Sequence, residues 1–158
     1  MYAARHNEPG AIKVLLDAGA DLHARDNDGL TALMFAADSN DAEVIKTLVK
    51  AGADVNAQDH NDNTAFMYAA DEKDPEVVKA LIDSGAKVNI RNKSSWTALM
   101  YAAKSTPTPE IVKILLDAGA DARLRNKEGQ TAADIAKNNP PIKNSDVYAR
   151  LQQEAQGD

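Results

Sequence analysis

Residues 31–37 read Thr-Ala-Leu-Met-Phe-Ala-Ala, residues 64–70 Thr-Ala-Phe-Met-Tyr-Ala-Ala, and residues 97–103 Thr-Ala-Leu-Met-Tyr-Ala-Ala. A second word recurs between them, as Leu15-Leu-Asp-Ala-Gly-Ala-Asp, Leu48-Val-Lys-Ala-Gly-Ala-Asp, Leu81-Ile-Asp-Ser-Gly-Ala-Lys and Leu115-Leu-Asp-Ala-Gly-Ala-Asp. Thr31, Thr64, Thr97 and Thr131 are spaced by 33, 33 and 34 residues, and Gly19, Gly52, Gly85 and Gly119 by the same intervals. Two independent words sharing one period four times over make this chain a repeat array, and the repeat has to be read before any single residue.

The unit can be read from its chemistry. The threonine is an N-cap, because its hydroxyl can accept from a backbone N–H that the first turn leaves unpaired. A short polar turn such as Asp38-Ser-Asn-Asp41 follows the first helix. Apolar residues then fall at i, i+1, i+4 and i+5, as Val44, Ile45, Leu48 and Val49 and again as Val77, Val78, Leu81 and Ile82. That spacing is one face of a second helix. The glycine ends it, since glycine takes the left-handed C-cap conformation without strain. About a dozen polar residues, such as those from Asp54 to Asp62, lead into the next unit. One helix pair cannot bury its own apolar face, so the units must stack into an all-α repeat solenoid.

The period, together with the words Asp26-Asn-Asp-Gly29-Leu-Thr31-Ala-Leu and Ala51-Gly-Ala-Asp-Val-Asn56, resembles the ankyrin repeat over nearly the whole chain. The resemblance implies antiparallel helix pairs, with the loops projecting as β-hairpin fingers. It also implies a non-enzymatic protein–protein interaction module that binds through the finger tips and the concave helix face. One repeat domain is expected, divided as a partial unit 1–25, full units 26–58, 59–91 and 92–125, and a C-terminal capping unit 126–158.

Departures from the family pattern carry their own expectations. The usual Thr-Pro-Leu-His becomes Thr-Ala-Leu-Met at 31–34 and 97–100 and Thr-Ala-Phe-Met at 64–67, a wording closer to bacterial members than to animal ones. Met34, Met67 and Met100 are expected to contribute packing only. The turn glycine is kept as Gly29 and Gly129 but is replaced by Asp62 and Ser95, of which Ser95 is the less comfortable in a left-handed conformation. The third full unit has one extra residue in Ser105-Thr-Pro-Thr-Pro109, expected to form a rigid external turn. The last unit breaks pattern at Asn138-Asn-Pro-Pro-Ile142, after which Ser145 should cap a final helix with Val147, Tyr148 and Leu151 inward. At the other end, Met1-Tyr-Ala-Ala4 aligns with Met67-Tyr-Ala-Ala70, so the first unit lacks its finger. A trimmed piece of a longer array and an irregular first unit both fit. Tyr2, Ile12, Leu15 and Leu16 are expected to leave an apolar end that promotes chain-to-chain stacking.

Composition sets the outer limits. The chain has 158 residues, of which 29 are alanine and only 7 aromatic, so its core is made of small residues in close approach. A net charge of −6 is the wrong sign for non-specific binding to nucleic acid. No apolar run reaches the roughly 18 residues of a membrane span. With no cysteine there is no disulfide, thiolate metal site or cysteine nucleophile, and nothing identifies a compartment. His6, His23 and His60 fall in a helix–helix turn, a finger base and a finger tip, with no ligand spacing among them, so solvated loop residues are expected. No phosphate loop or Ser-His-Asp set is present, and the glycines follow the period as caps and turns, so no catalytic residue, cofactor or metal is assigned.

The family's contact positions, carried onto this chain, are the residues before each threonine, the fingers and the first-helix ends. The first set is Leu30, Asn63, Trp96 and Gln130. Trp96 is the only tryptophan and a candidate binding hot spot, against the alternative that it packs on neighbouring finger stems. The fingers contribute Arg91, Lys93, Arg125 and Lys127, and the helix ends Asp38, Asp71, Glu72 and Lys104, with Tyr68 and Tyr101 lining the groove between. Read along the stack, the first half of this face is acidic and the second half basic, so a protein partner of complementary polarity is expected. The competing reading is a structural spacer without its own ligand. An enzyme would require a buried titratable cluster, and the repeat accounts for almost every residue that could form one.

Overall fold

Each threonine starts a helix. In the computed structural model, which describes residues 1–6, 9–39, 41–71 and 74–157, eleven helices lie in sequence. They are α1 (Tyr2–Arg5), α2 (Pro9–Asp17), α3 (Ala32–Asp38), α4 (Ala42–Lys50), α5 (Ala65–Asp71), α6 (Pro75–Asp83), α7 (Ala98–Ser105), α8 (Pro109–Asp117), α9 (Ala132–Ala136), α10 (Pro140–Lys143) and α11 (Asp146–Gln156). The threonine hydroxyls accept from the backbone N–H three residues on: Met34 at 3.3 Å, Met67 and Met100 at 3.4 Å, and Asp134 at 3.2 Å. Asp41 and Asp74 cap α4 and α6 in the same manner.

The odd-numbered helices α1, α3, α5, α7 and α9 pack one upon the next, and α2, α4, α6 and α8 form a second layer beside them. The array is therefore an all-helical repeat solenoid. Between the layers, Leu33, Met34, Leu48, Met67, Leu81, Met100 and Leu115 are buried. Truncating one such leucine to alanine costs about 2–5 kcal/mol. Ala36-Ala37, Ala69-Ala70 and Ala102-Ala103 are completely enclosed, which is why the chain spends so much of its apolar content on alanine.

The second helices end as their glycines dictate. Gly19, Gly52, Gly85 and Gly119 have φ between 85° and 101°. In each case the glycine N–H donates to the carbonyl three residues back, and the next alanine donates to the one five back, as in Gly52 to Val49 and Ala53 to Leu48. This double bond pattern satisfies carbonyls that the helix end would otherwise leave open. Beyond it, asparagines stitch the units together. Asn56 accepts from Lys87 N–H at 2.7 Å and donates to the Gly85 carbonyl, and Asn89 repeats the pair one unit on, with Asp121 and Gly119.

Five expectations need correction or refinement. First, Met34 is not a packing residue alone: its Sδ accepts from Thr31 N–H at 3.4 Å, so sulfur closes a capping box with the threonine. Second, the hairpin fingers are reduced to tight turns. No strand forms among the described residues, and a single antiparallel bridge joins Gln58 and Thr64. The four-residue loops close on themselves, for example Asp59 N–H to Asn63 O and Asp62 N–H to Asp59 O, leaving no length for a ladder. Third, Ser145 stands at the N-terminal edge of α11 but does not cap it; its hydroxyl donates back to the Ile142 carbonyl at 2.6 Å. Leu151 is buried as expected, while Val147 and Tyr148 are half-buried against the core.

Fourth, the apolar leading end has a different membership. Ile12 is buried, because its side of α2 faces the next unit, and Leu16 is half-buried. Met1, Tyr2, Val14 and Leu15 are the large apolar side chains left exposed. Fifth, the extra residue of the third full unit is absorbed partly by α7, one residue longer than α3 and α5. The turn after it is external at Pro107 and Thr108 but anchored inside by Thr106, which is fully buried and has its hydroxyl within 3.0 Å of the Ala102 and Thr108 carbonyls.

Candidate functional site

The fingers form one edge of the stack, and their backbones are tied together. His60 N–H donates to Asp28 O, Lys93 N–H to Asn61 O, and Lys127 N–H to Ser94 O, one bond per pair of neighbours at 2.9–3.1 Å. Long side chains add to this. Arg25 reaches the Gly29 and Gln58 carbonyls, Arg91 the Arg125 carbonyl at 3.0 Å, Arg125 the Gly129 carbonyl at 2.6 Å, and Lys93 the His60 carbonyl. Arg91, Lys93 and Arg125 are thus exposed but already committed to holding finger backbones in place.

Each finger turn is organised by a polar residue five positions before the threonine: Asp26, Asp59, Asn92 and Asn126. Its side-chain oxygen accepts from the backbone N–H four residues on, at 2.8–2.9 Å. The threonine words did not draw attention to these residues, although their spacing of 33, 33 and 34 was there to be found. Asp59 and Asn92 matter most, because they carry the structure inward to the groove. Tyr68 Oη donates to Asp59 Oδ2 at 2.7 Å and Asn63 Nδ2 donates to the same oxygen at 3.1 Å. Asn92 Nδ2 donates to Asn63 Oδ1 at 2.7 Å and to Tyr101 Oη at 3.0 Å. Two neighbouring units are joined by this chain of bonds.

Beside it, the Trp96 and Tyr101 rings lie 5.1 Å apart at 49°, and Lys104 Nζ stands 5.6 Å from the Trp96 ring centre. That geometry is an aromatic pair with a cation over it, each contact worth about 0.5–1.5 kcal/mol. Trp96 is half-buried, so one part of the indole is fixed by the protein and the rest is open. Asn63, Met67, Tyr68, Asp71 and Tyr101 line a small pocket of about 60 Å³ next to it.

Burial works against ionisation of Asp59, but the bonds from Tyr68, Asn63 and Asn61 outweigh it and hold the carboxyl below its ordinary range. Tyr68 is pushed far up, first by burial and then by its bond to the Asp59 carboxylate, with Asp38 adding repulsion. Tyr101 is raised by burial and by the charges of Asp71 and Asp59. Both hydroxyls stay protonated and therefore stay donors.

Of the residues singled out in the sequence, six come together around this groove: Asn63, Trp96, Tyr68, Asp71, Tyr101 and Lys104. Asp38 is exposed at the end of α3, close enough for its charge to act on Tyr68. Leu30 is half-buried against the core at the first finger, and Gln130 and Lys127 are exposed at the last. Glu72 lies outside the described residues. His6 packs against the Tyr2 ring at a tilt of 37°, with the ring centres 4.2 Å apart. Among the described residues, no group of three or more histidine or acidic side chains is placed to hold a metal ion, and no helix is long and apolar enough to cross a membrane.

No curated protein gives a significant match to the chain. The family model for ankyrin repeats (3 copies) matches residues 1–92 and again residues 66–152. Those two overlapping matches take in all but the last few residues, on the same period that sets the threonine caps, the glycine stops and the stacked helix pairs, and the chain belongs to the ankyrin-repeat family.

Proposed function

We propose that this chain is a binding module for a protein partner, with its contact surface on the finger side and its centre at Trp96. Ankyrin repeats are in general protein–protein interaction modules, and that much holds at the family level. The finer placement rests on one observation: a lone tryptophan packs at a tilt against Tyr101, has Lys104 over its ring and is left half open at the junction of fingers and first helices. A rigid, partly exposed indole buries a large area on contact at little entropic cost, which is what binding hot spots share. The surroundings are polar and set in advance by the Asp59–Asn63–Asn92 bonds, so little has to be ordered on association. Charge along the face, acidic at Asp38 and Asp71 and basic at Lys93, Lys104 and Lys127, would orient the partner and speed its encounter more than tighten it.

The test is capture with the full chain as bait, comparing the parent with Trp96→Ala and with Lys93→Glu. Loss of most of the bound partner on Trp96→Ala, and a weaker loss on Lys93→Glu, is the expected result. Unchanged capture by both variants would place the contact surface elsewhere.

A second reading concerns the leading face. Leu15 is 48% exposed, whereas Leu48, Leu81 and Leu115 at the equivalent positions are 2%, 0% and 0% exposed because a preceding unit covers them. With Val14 and Tyr2 beside it, this face supports self-association of the chain.

A further inference from the structure

We propose that the pocket between Tyr68 and Tyr101 accepts a basic side chain, an arginine or a lysine, from a polypeptide lying along the finger-side face; this assignment rests on the partner-binding reading above. The pocket has about 60 Å³ of space, several times the ~10–15 Å³ that admits one water, so it holds a side-chain head group and little more. Two of its five lining residues are tyrosines, whose ring faces attract cations. Asn63 lines it as well, its carbonyl oxygen held in place by Asn92 Nδ2 at 2.7 Å and by the Tyr101 hydroxyl at 3.4 Å. Met67 closes the inner side with apolar surface suited to the methylenes of a long basic side chain.

The charged side chain that lines the pocket and the one buried behind it are acidic, while Lys104 borders the groove on the Trp96 side. Asp71 lines it and is exposed. Asp59, only 5% exposed, sits behind Tyr68 with its negative charge held by hydroxyl, amide and backbone donors and by no cation among the described residues. Asp38, exposed at the end of α3, adds a weaker charge from the neighbouring unit. The Lys104 ammonium lies over the Trp96 ring, which packs against Tyr101. An acidic side chain entering here would meet Asp71 with the Asp59 charge behind it, and a neutral one would leave that charge unanswered. A guanidinium or ammonium answers it while stacking on tyrosine, with Trp96 holding the next part of the same polypeptide. The specificity that follows is for a basic residue set beside an apolar one.

The experiment titrates the full chain with N-acetyl-arginine amide, N-acetyl-lysine amide and the uncharged N-acetyl-norleucine amide, read by NMR at the Tyr68 and Tyr101 rings. Both basic probes should shift these signals saturably, and the norleucine probe should not. Asp71→Asn should weaken the arginine probe at least about threefold, and Asp38→Asn less, the size expected for exposed charge partners. Both substitutions are at exposed helix ends, and far-UV circular dichroism verifies that they leave the helices intact. Equal shifts from norleucine, or arginine shifts that miss both tyrosines, would overturn the assignment. The two readings separate in the capture assay. Capture lost on Trp96→Ala but undiminished on Asp71→Asn keeps the surface and removes the pocket. Probe binding with capture indifferent to Trp96→Ala keeps the pocket and removes the surface.

Discussion

Ser95 holds φ at 61° and Asp62 at 63°, where the first and last full fingers use Gly29 at 83° and Gly129 at 76°. Aspartate tolerates this region better than serine, whose Cβ crowds the following carbonyl at a cost of roughly 1–2 kcal/mol. Glycine removes that cost but gives back about 0.4–1 kcal/mol through the greater freedom of the unfolded chain. Ser95→Gly should therefore raise stability by about 0.5–1 kcal/mol, seen as a higher urea midpoint with unchanged slope. The reverse exchange is unequal. A Cβ on Gly29 would lie 2.6 Å from a ring carbon of His60 and 3.0 Å from its backbone nitrogen, so Gly29→Ala should lower the midpoint by more than Ser95→Gly raises it. A lowered midpoint for Ser95→Gly would show that the serine side chain stabilises the turn in some other way. Single positions were legible here when they answered to backbone geometry, as Ser95 did. Asp59 was not, because its importance comes from Tyr68 and Asn63 bonding to it, and a partner on another element is invisible to a residue read alone.

At the scale of elements, α9 shows how a cap can be titrated. Thr131 and Asp134 cap each other: the Thr131 hydroxyl accepts from Asp134 N–H, and Asp134 Oδ2 accepts from Thr131 N–H at 3.1 Å and from its hydroxyl at 2.9 Å. A bond from Lys137, then those from Thr131, bring the Asp134 carboxyl down to about 2. The unfolded carboxyl titrates near 3.9. A folded value below the unfolded one means stability that is complete above about pH 4 and is lost as pH falls toward 2. Asp134 is more than a third exposed, so screening reduces the effect to about 1 kcal/mol or less. Between pH 6 and pH 2.5, Asp134→Asn should lose less stability than the parent by up to that amount, measured by urea unfolding at both values. Identical losses would mean that this cap does not set the acid limb; the depressed Asp59 acts in the same direction and remains in both chains. Helices α3 to α8 were legible because each repeats a pattern present three times over. The break at 138–142 was not. There Asn139, buried at the head of α10, donates to the Ala103 and Thr106 carbonyls at 3.2 and 2.9 Å and seals the turn made by the extra residue. Two irregularities compensate for each other, and neither belongs to the repeat.

At the scale of the molecule, stability is a sum over stacked neighbours, because each unit contacts only those beside it. The groove at Trp96 follows from that arrangement. Its six residues come from two adjacent units, and only the period, which aligns Tyr68 with Tyr101, hinted from the sequence that they would meet. The same additivity makes an exposed apolar face costly. Tyr2, Val14 and Leu15 are 74%, 67% and 48% exposed, and the face they form is the kind that every interior unit covers with another. A second copy packing on this face would cover these side chains. Only three or four large side chains take part, below the area of a standard stable interface, so association should be weak and concentration-dependent. Sedimentation velocity from micromolar to near-millimolar chain should show the weight-average coefficient rising with concentration. Val14→Glu together with Leu15→Glu should abolish the rise without unfolding the chain, since both side chains are exposed. A parent that stays strictly monomeric over the whole range would leave this face without a partner in a second copy.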